Sequence, residues 1–310
     1  MNIKSTLLAM MIMSMASVTS YACDDVPEAL YDKFDDISTC QVDGLIAVQK
    51  GEKWGFANAK GAMKIPATYD DVSDFEEGIA IVTLNDKSGL IDTKGRIVTP
   101  LIYDEIGDFY NNLAYVYQKD KAGYIDTKGN VKIPLQYEYA EDFEDGIAIV
   151  GKSDKYGMID VNNRIVIPLM YDDLDTFTDD LALAGLLNKN DEYRYGFINR
   201  QNNMVIAPNY DDVYSFYDGY AVVSKDSKWG MINTKGQTVI PLKYDDVDYF
   251  TDGFSVVELN GKYGVVNEQG TLIIPTQYDD IEVEDKNVFY VTKGDNNYYV
   301  NQFNRRIKHD

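Results

Sequence analysis

The sequence predicts an all-β fold built from tandem repeats. Segments similar to KWGMINTKGQTVIPLKYDDV, which begins at Lys228, recur along the chain at intervals of 34 residues, apart from one interval of 39. Turn-forming glycine, asparagine and aspartate separate short runs rich in valine, isoleucine and tyrosine, as expected for strands joined by tight turns. A fixed period of this length indicates a repeat architecture, in which each unit buries its apolar face against its neighbours.

The repeats suggest a division of the chain into three parts. Residues 1–22 are predicted to be a signal peptide, residues 23–33 an N-terminal cap segment, and residues 34–310 a repeat domain of about eight units. The preferred arrangement is an open superhelical or solenoid-like array of three-stranded or hairpin units. A closed β-propeller is the alternative, although its blades usually have four strands in roughly 40–45 residues.

Two turn positions recur along the chain. An Asn or Asp stands three residues after the glycine of each Trp-Gly pair, and a Gly or Asn stands three residues further on. The first side chain is expected to accept hydrogen bonds from N–H groups of the turn, and the second residue to adopt positive φ. A second Gly, Asn or Asp position, such as Gly78, precedes runs like IAIV. It is also expected to be left-handed.

Proline and aspartate follow the second strand of each predicted hairpin. Seven of the eight prolines lie there and are expected to end the strand, because proline has no N–H to donate. The YDDV segment that follows is expected to form a bend capped by its aspartates. Adjacent aspartates such as Asp245 and Asp246 are also oxygen ligands for calcium, but calcium needs six to eight surrounding oxygens, so capping is the preferred interpretation.

The Trp-Gly pair and its variants define the repeat. Its aromatic residue is expected to pack in the core between units, with stacking on a sugar ring as the alternative. Ser88 and Ala122 replace this residue in two units. The tyrosine of YDD is not assigned, and exposed tyrosines are favoured as ligand contacts. The repeat-defining structural residues are Trp54, Gly55, Gly89, Gly123, Tyr156, Gly157, Gly196, Trp229, Gly230, Tyr263 and Gly264.

The recurring KWG, KYG, DTKG and IP..YDD segments resemble those of WG-repeat (KWG-repeat) proteins, a bacterial family of β-rich tandem repeats. The resemblance covers nearly the whole chain after residue 22. It implies a binding or interaction module, and it implies no catalytic residues.

The first 22 residues have the features of an export signal. Lys4 supplies a positive charge, Leu7 to Met15 form a short apolar run, and Ser20 and Ala22 provide a small-residue cleavage site. We therefore expect a periplasmic or secreted protein with no transmembrane segment after cleavage.

The two cysteines allow either a disulfide or a lipid anchor, and the two exclude each other. Cys23 and Cys40 are the candidate disulfide, since an even cysteine count in an exported chain favours pairing. Lipidation of Cys23, which would give a membrane-anchored lipoprotein, is the alternative.

Net charge and residue content argue against several classes of function. The chain has 51 acidic and 29 basic residues, a formal net charge of −22, which opposes binding to nucleic acid. Its single histidine, His309, is next to last, and a chain end seldom provides a packed catalytic or zinc site. No catalytic residue, metal site or cofactor is predicted.

The preferred function is a non-enzymatic binding module of the bacterial cell envelope. It would hold a protein or cell-wall glycan partner through a repeated face. A wall-polysaccharide hydrolase and a structural surface lipoprotein without a specific ligand are the alternatives.

Overall fold

The computed structural model describes residues 25–308. Their regular structure is β apart from a 3-10 helix at Glu28–Leu30, within the predicted N-terminal cap segment. The strands form eight four-stranded antiparallel sheets, and within each sheet they follow chain order. The all-β tandem-repeat prediction is confirmed, and none of these sheets is closed into a barrel. The predicted signal peptide, Cys23 and His309 lie outside the described residues, so the predicted disulfide stays a prediction.

The first four sheets extend from Asp36 to Tyr171. Sheet 1 contains β1 (Asp36–Val42), β2 (Leu45–Lys50), β3 (Lys53–Ala57) and β4 (Met63–Tyr69). Sheet 2 contains β5 (Asp71–Val72), β6 (Ile79–Leu84), β7 (Lys87–Asp92) and β8 (Ile97–Tyr103). Sheet 3 contains β9 (Glu105–Ile106), β10 (Leu113–Gln118), β11 (Lys121–Asp126) and β12 (Val131–Tyr137). Sheet 4 contains β13 (Tyr139–Ala140), β14 (Ile147–Lys152), β15 (Lys155–Asp160) and β16 (Ile165–Tyr171).

The last four sheets extend from Asp173 to Ile307. Sheet 5 contains β17 (Asp173–Thr178), β18 (Leu181–Leu187), β19 (Tyr193–Asn199) and β20 (Met204–Tyr210). Sheet 6 contains β21 (Asp212–Val213), β22 (Tyr220–Lys225), β23 (Lys228–Asn233) and β24 (Thr238–Tyr244). Sheet 7 contains β25 (Asp246–Val247), β26 (Phe254–Glu258), β27 (Tyr263–Asn267) and β28 (Leu272–Tyr278). Sheet 8 contains β29 (Asp280–Asp285), β30 (Val288–Lys293), β31 (Asn296–Asn301) and β32 (Arg306–Ile307).

Each unit has one strand more than the sequence predicts. The YDDV segment, expected as a bend, supplies the first strand of the sheet, and in sheet 6 this strand is only two residues long. Asp212 nevertheless pairs with Ser224, and Val213 with Val223. Two residues are too few for the alternation by which a strand is recognised in a sequence.

The prolines are also placed differently from the prediction. Pro241 lies at the centre of β24 and does not end it. The strand register shifts there, since Trp229 pairs with Tyr244 while Met231 pairs with Ile240. β24 is an edge strand of its sheet, and a bulge on an edge strand tolerates a residue without an N–H group.

The same bulge explains the glycine of the Trp-Gly pair. A Cβ atom on Gly230 would lie 2.5 Å from the carbonyl oxygen of Ile240 and 2.8 Å from the backbone nitrogen of Leu242. The backbone of β24 therefore approaches β23 too closely for any side chain at this position. The equivalent glycines make the same close approach to the bulged strand: Gly55, Gly89, Gly123, Gly157, Gly196 and Gly264.

The predicted turns are confirmed. Asn233 Oδ1 accepts hydrogen bonds from the backbone N–H groups of Lys235 and Gln237, each at 3.0 Å, and Gly236 has φ of +72°. At the second turn position, Gly219 has φ of +83°. Asp218 before it also has positive φ, as in a type I′ hairpin turn.

The described chain forms two compact units. One comprises the described residues up to Ile106 together with Val116–Gln118 and Thr127–Asn130. The other comprises Gly107–Tyr115, Lys119–Asp126 and the described residues from Val131 onward.

Within each unit, consecutive sheets share their apolar cores. In the first unit, Phe56 of sheet 1 packs against Phe75 of sheet 2 with ring centroids 4.6 Å apart. In the second, Phe197 of sheet 5 packs against Phe216 of sheet 6, also at 4.6 Å. Similar clusters join sheets 4 and 5, sheets 6 and 7, and sheets 7 and 8. A single sheet thus leaves one apolar layer to be covered by the next.

Candidate binding surface

The first acidic residue of each YDD segment has a structural role. Asp245 accepts hydrogen bonds from Lys228 Nζ at 2.5 Å and from the backbone N–H of Asn260 at 2.6 Å. The hydrogen bond from Lys228 is the main reason that the pKa of Asp245 is lowered. The equivalent ion pairs are Lys53–Asp70, Lys87–Asp104, Lys121–Glu138, Lys155–Asp172 and Lys262–Asp279. The lysine of KWG and this carboxylate together hold the hairpin turn of the next sheet.

The second acidic residue of the pair has a different environment. Asp173, Asp212 and Asp246 are the first residues of β17, β21 and β25. Within residues 25–308, none of the three forms an ion pair with a lysine or arginine. Burial raises the pKa of Asp173 and of Asp212. No cation of the described residues therefore neutralises their negative charges.

Tyrosine rings lie between these carboxylates. Burial and the nearby charges of Asp173 and Asp212 raise the pKa of Tyr195, which also donates a hydrogen bond to Asp173. Burial, Asp212 and Asp246 raise the pKa of Tyr214 in the same way. We call the following series, all within the second compact unit, the acidic–aromatic row: Glu141, Asp173, Asp175, Tyr195, Asp212, Tyr214, Asp246, Asp248, Tyr263 and Asp280.

Two further carboxylates of the row have raised pKa values. Desolvation by nearby protein atoms raises the pKa of Asp248, with a further contribution from the charge of Asp246. Burial likewise raises the pKa of Glu141, and Tyr139 donates a hydrogen bond to its Oε1 at 2.5 Å.

The aromatic residues of the Trp-Gly pairs connect this surface to the core. Trp229 is half-buried, packs against the cluster between sheets 6 and 7, and stacks on Tyr214 with centroids 5.4 Å apart and planes at 9°. Tyr214 and Tyr217 are each 49% exposed, so they belong to the exposed tyrosines favoured as contacts. Other half-buried aromatic residues of Trp-Gly pairs that pack against core clusters are Trp54, Tyr156, Tyr195 and Tyr263.

The tyrosines of YDD have a role that the sequence reasoning missed. Tyr171 is only 3% exposed, and its hydroxyl donates to Asn202 Oδ1 at 2.7 Å. Asn202 occupies the left-handed turn position of the next sheet, with φ of +59°. Two further pairs repeat this bond: Tyr137 with Asn163 and Tyr278 with Asn304. The signal in the sequence is the choice of asparagine over glycine at this turn position.

Metal and membrane features can be described only for residues 25–308. In that range, no three His, Cys, Asp or Glu side chains are placed to coordinate one ion. The same range has no helix of the length and apolar character needed to cross a membrane.

Comparison with known proteins gives a family match along most of the chain. The model of a family described as "WG containing repeat" matches residues 54–87, 89–121, 123–156, 156–189, 195–229, 229–263 and 263–298. None of the curated protein sequences is similar to this chain.

Solved structures show only a distant likeness. A eukaryotic initiation factor has 9% sequence identity and a TM-score of 0.39, and the match covers 86% of this chain and 85% of that one. The AfRom2 CNH domain has 8% identity and a TM-score of 0.34, with 74% and 92% covered. These scores are too low to support a shared fold or function.

Proposed function

Because the chain belongs to the family of WG-containing repeat proteins, we propose that it is a non-enzymatic binding module whose binding surface is the acidic–aromatic row. The observation that carries this proposal is the contrast between the two acidic residues of the YDD segment that begins at Tyr171. Asp172 is neutralised by Lys155, whereas burial raises the pKa of Asp173 and no lysine or arginine among residues 25–308 pairs with it. A surface that keeps unpaired negative charges is suited to a partner that supplies the opposite charge.

The partner that fits this surface best is a protein with a basic segment. Lysine and arginine would pair with Asp173, Asp212 and Asp246, and their cationic groups would also contact the faces of exposed rings such as Tyr214. A glycan partner would depend mainly on ring stacking and little on these charges.

The test uses the full chain and a fluorescent decapeptide of alternating lysine and glycine. The triple variant Asp173→Asn, Asp212→Asn, Asp246→Asn should bind this peptide about tenfold more weakly, as expected for the loss of three partly screened pairs. A peptide with glutamate in place of lysine should not bind.

The matched control removes the same charge elsewhere. Asp154, Asp218 and Asp252 are exposed turn residues with positive φ, a conformation that asparagine accepts. The triple change of these residues to Asn should leave binding within about twofold of the unaltered chain. Equal weakening in both triple variants would show that only net charge matters, and capture of purified peptidoglycan without lysine-peptide binding would favour a glycan.

The hydrolase alternative has one observation in its favour. Burial raises the pKa of Glu141, and a carboxylic acid that stays protonated is what a general acid requires. Turnover of wall polysaccharide by the pure protein, abolished by Glu141→Gln, would replace the binding proposal with this one.

We also propose that the module acts outside the cytoplasm of a bacterial cell. Support comes from residues 1–22, with Lys4 followed by the apolar run Leu7 to Met15. Fractionation should find the protein in the periplasm or medium. Palmitate labelling that is lost in Cys23→Ala would instead identify an anchored lipoprotein.

A further inference from the structure

A cleft of about 440 Å³ opens on sheet 2, within the range of roughly 300–1,000 Å³ found for ligand pockets. Val72, Ile81 and Ile106 line it with apolar atoms, while Ser73 and Ser88 contribute hydroxyl groups. All of its lining residues belong to the first compact unit. The cleft therefore shares no residue with the acidic–aromatic row.

The cleft lies where another sheet has two stacked aromatic rings. In sheet 6, Tyr214 and Trp229 stack with centroids 5.4 Å apart. Ser73 and Ser88 occupy the same two repeat positions in sheet 2. Their backbone relations match, because Ser73 N–H donates to Ile81 as Tyr214 N–H donates to Val222. Likewise, Ser88 pairs with Tyr103 as Trp229 pairs with Tyr244. Sheet 2 thus keeps the backbone of this site without its two rings.

Sheet 3 also has small residues at these positions but fills the space itself. Gly107 and Ala122 are its equivalents of Ser73 and Ser88. The ring of Tyr115 lies so close to Gly107 that a Cβ there would overlap it. In sheet 2 the residue equivalent to Tyr115 is Ile81, which lines the cleft and has no ring. The cleft therefore depends on three positions that together hold no aromatic side chain.

The rim of the cleft is acidic. Asp71, Asp86, Asp104 and Glu105 all line it, and Asp104 is paired with Lys87. Asp71 and Asp86 are both exposed, and their charges give the rim a negative potential.

We propose that this cleft binds a planar aromatic group that carries a positive charge. The ring would take the space that Trp229 and Tyr214 fill in sheet 6, between the apolar side chains of Val72 and Ile106. The cationic group would face the carboxylates of the rim. Burial of an aromatic ring supplies most of the attraction, and the charge selects cations over anions.

Tryptamine is the first probe, because it joins an indole ring to an ammonium group. Titration of the full chain by calorimetry should show saturable binding of tryptamine. Tryptophol, which has the same ring without charge, should bind about threefold or more weakly, and ethylamine, which has no ring, should not bind measurably. A Lys-Trp-Lys tripeptide tests whether the same group is accepted as part of a peptide.

Ser88→Trp is the decisive variant, since it introduces the residue that sheets 1 and 6 have at this position and fills the cleft. It should weaken tryptamine binding about tenfold or more. Gln201→Trp, at an exposed turn in sheet 5, is the matched control and should bind as the unaltered chain does. Asp71→Asn alters only an exposed side chain of the rim. It should weaken tryptamine about threefold and leave tryptophol unchanged.

The proposal fails if tryptamine does not bind saturably, or if it binds the unaltered chain and Ser88→Trp equally. Equal binding of tryptamine and tryptophol would also overturn it, because charge would then have no role. If Ser88→Trp does not fold, the binding of tryptamine and tryptophol to Asp71→Asn tests the proposal in its place. Unchanged tryptamine binding in Asp71→Asn would then overturn it. Lysine-peptide binding at the acidic–aromatic row should persist in Ser88→Trp, so the two proposals can fail separately.

Discussion

The glycine of each Trp-Gly pair is fixed by a contact and not by its backbone conformation. Gly230 does not have positive φ, unlike Gly219 and Gly236 in the same sheet. Its hydrogen atom instead faces the carbonyl of Ile240 at a distance that would leave a Cβ 2.5 Å away. This repeat thus contains glycine for two different physical reasons, the close approach of a neighbouring strand and a positive φ.

Gly230→Ala is expected to destabilise the protein by about 1–3 kcal/mol, because the added methyl group must push β24 away from β23. The measurement is the midpoint of urea unfolding. Gly219→Asn is the control, since that site has open space around it and asparagine tolerates its positive φ. It should change the free energy of unfolding by less than about 0.5 kcal/mol. Equal stability of the two variants would mean that the close approach does not select glycine.

Residue types predicted the turns well but not the role of the YDD tyrosine. A position that accepts only Gly, Asn or Asp has a local cause, which is tolerance of positive φ. The partner of Tyr171, by contrast, is Asn202 in the next sheet. A bond between residues so far apart in the chain has no local signature. It can be identified only once the structure shows that the two sheets are neighbours.

Consecutive sheets are joined by polar bonds as well as by apolar cores. The hydroxyl of Tyr171, at the end of sheet 4, donates to the turn of sheet 5. For Tyr244, at the end of sheet 6, the repeat position equivalent to Asn202 is Gly270, which has no side chain to accept such a bond. Equivalent contacts between consecutive sheets thus differ by one hydrogen bond.

Tyr171→Phe is expected to destabilise the protein by about 1 kcal/mol, the usual net value of a buried hydrogen bond whose acceptor loses its donor. Tyr244→Phe removes the same hydroxyl group at a position where the next sheet has Gly270 in place of asparagine. It should lower the free energy of unfolding clearly less. Both values come from urea unfolding of the full chain. A double variant Tyr171→Phe, Asn202→Gly should recover part of the loss. No difference between the two single variants would show that the bond to Asn202 contributes nothing.

At the scale of elements, hairpins were predictable and the first strand of each sheet was not. The β22–β23 hairpin combines short apolar runs, buried over several consecutive residues, with turn residues between them, and such runs bounded by turns predict strands. β21 contains only Asp212 and Val213, and its pairing depends on where β22 has already been placed. The candidate surface was missed for the same reason, because Asp173, Asp212 and Asp246 each begin such a strand.

Across the molecule, the carboxylates fall into two groups with opposite shifts. Hydrogen bonds from lysines hold the pKa of Asp70, Asp245 and Asp279 below the ordinary value. Burial holds the pKa of Glu141 and Asp212 above it. The first group stabilises the fold when ionised, whereas the second group destabilises it when ionised.

These shifts predict a maximum of stability at mildly acidic pH. Carboxyls with a raised folded pKa bind protons more tightly in the folded state, so their effect lowers Tm as pH rises above the ordinary values of 3.8 for Asp and 4.5 for Glu. Carboxyls with a lowered folded pKa contribute stability that is lost as pH falls below those same values. Tm measured from about pH 3 to about pH 8 should therefore peak near pH 5 and decline on both sides.

Variants separate the two limbs of this profile. Asp173→Asn with Asp212→Asn should flatten the decline above the maximum, and Asp245→Asn should flatten the decline below it, because each removes the group that titrates there. Asp154→Asn with Asp218→Asn changes the net charge as much as the first pair but should leave the shape of the profile unchanged. If this control flattened the upper limb equally, general repulsion within a chain of net charge −22 would explain the decline. Asp173 and Asp212 would then contribute no more to the decline of Tm than other carboxylates do.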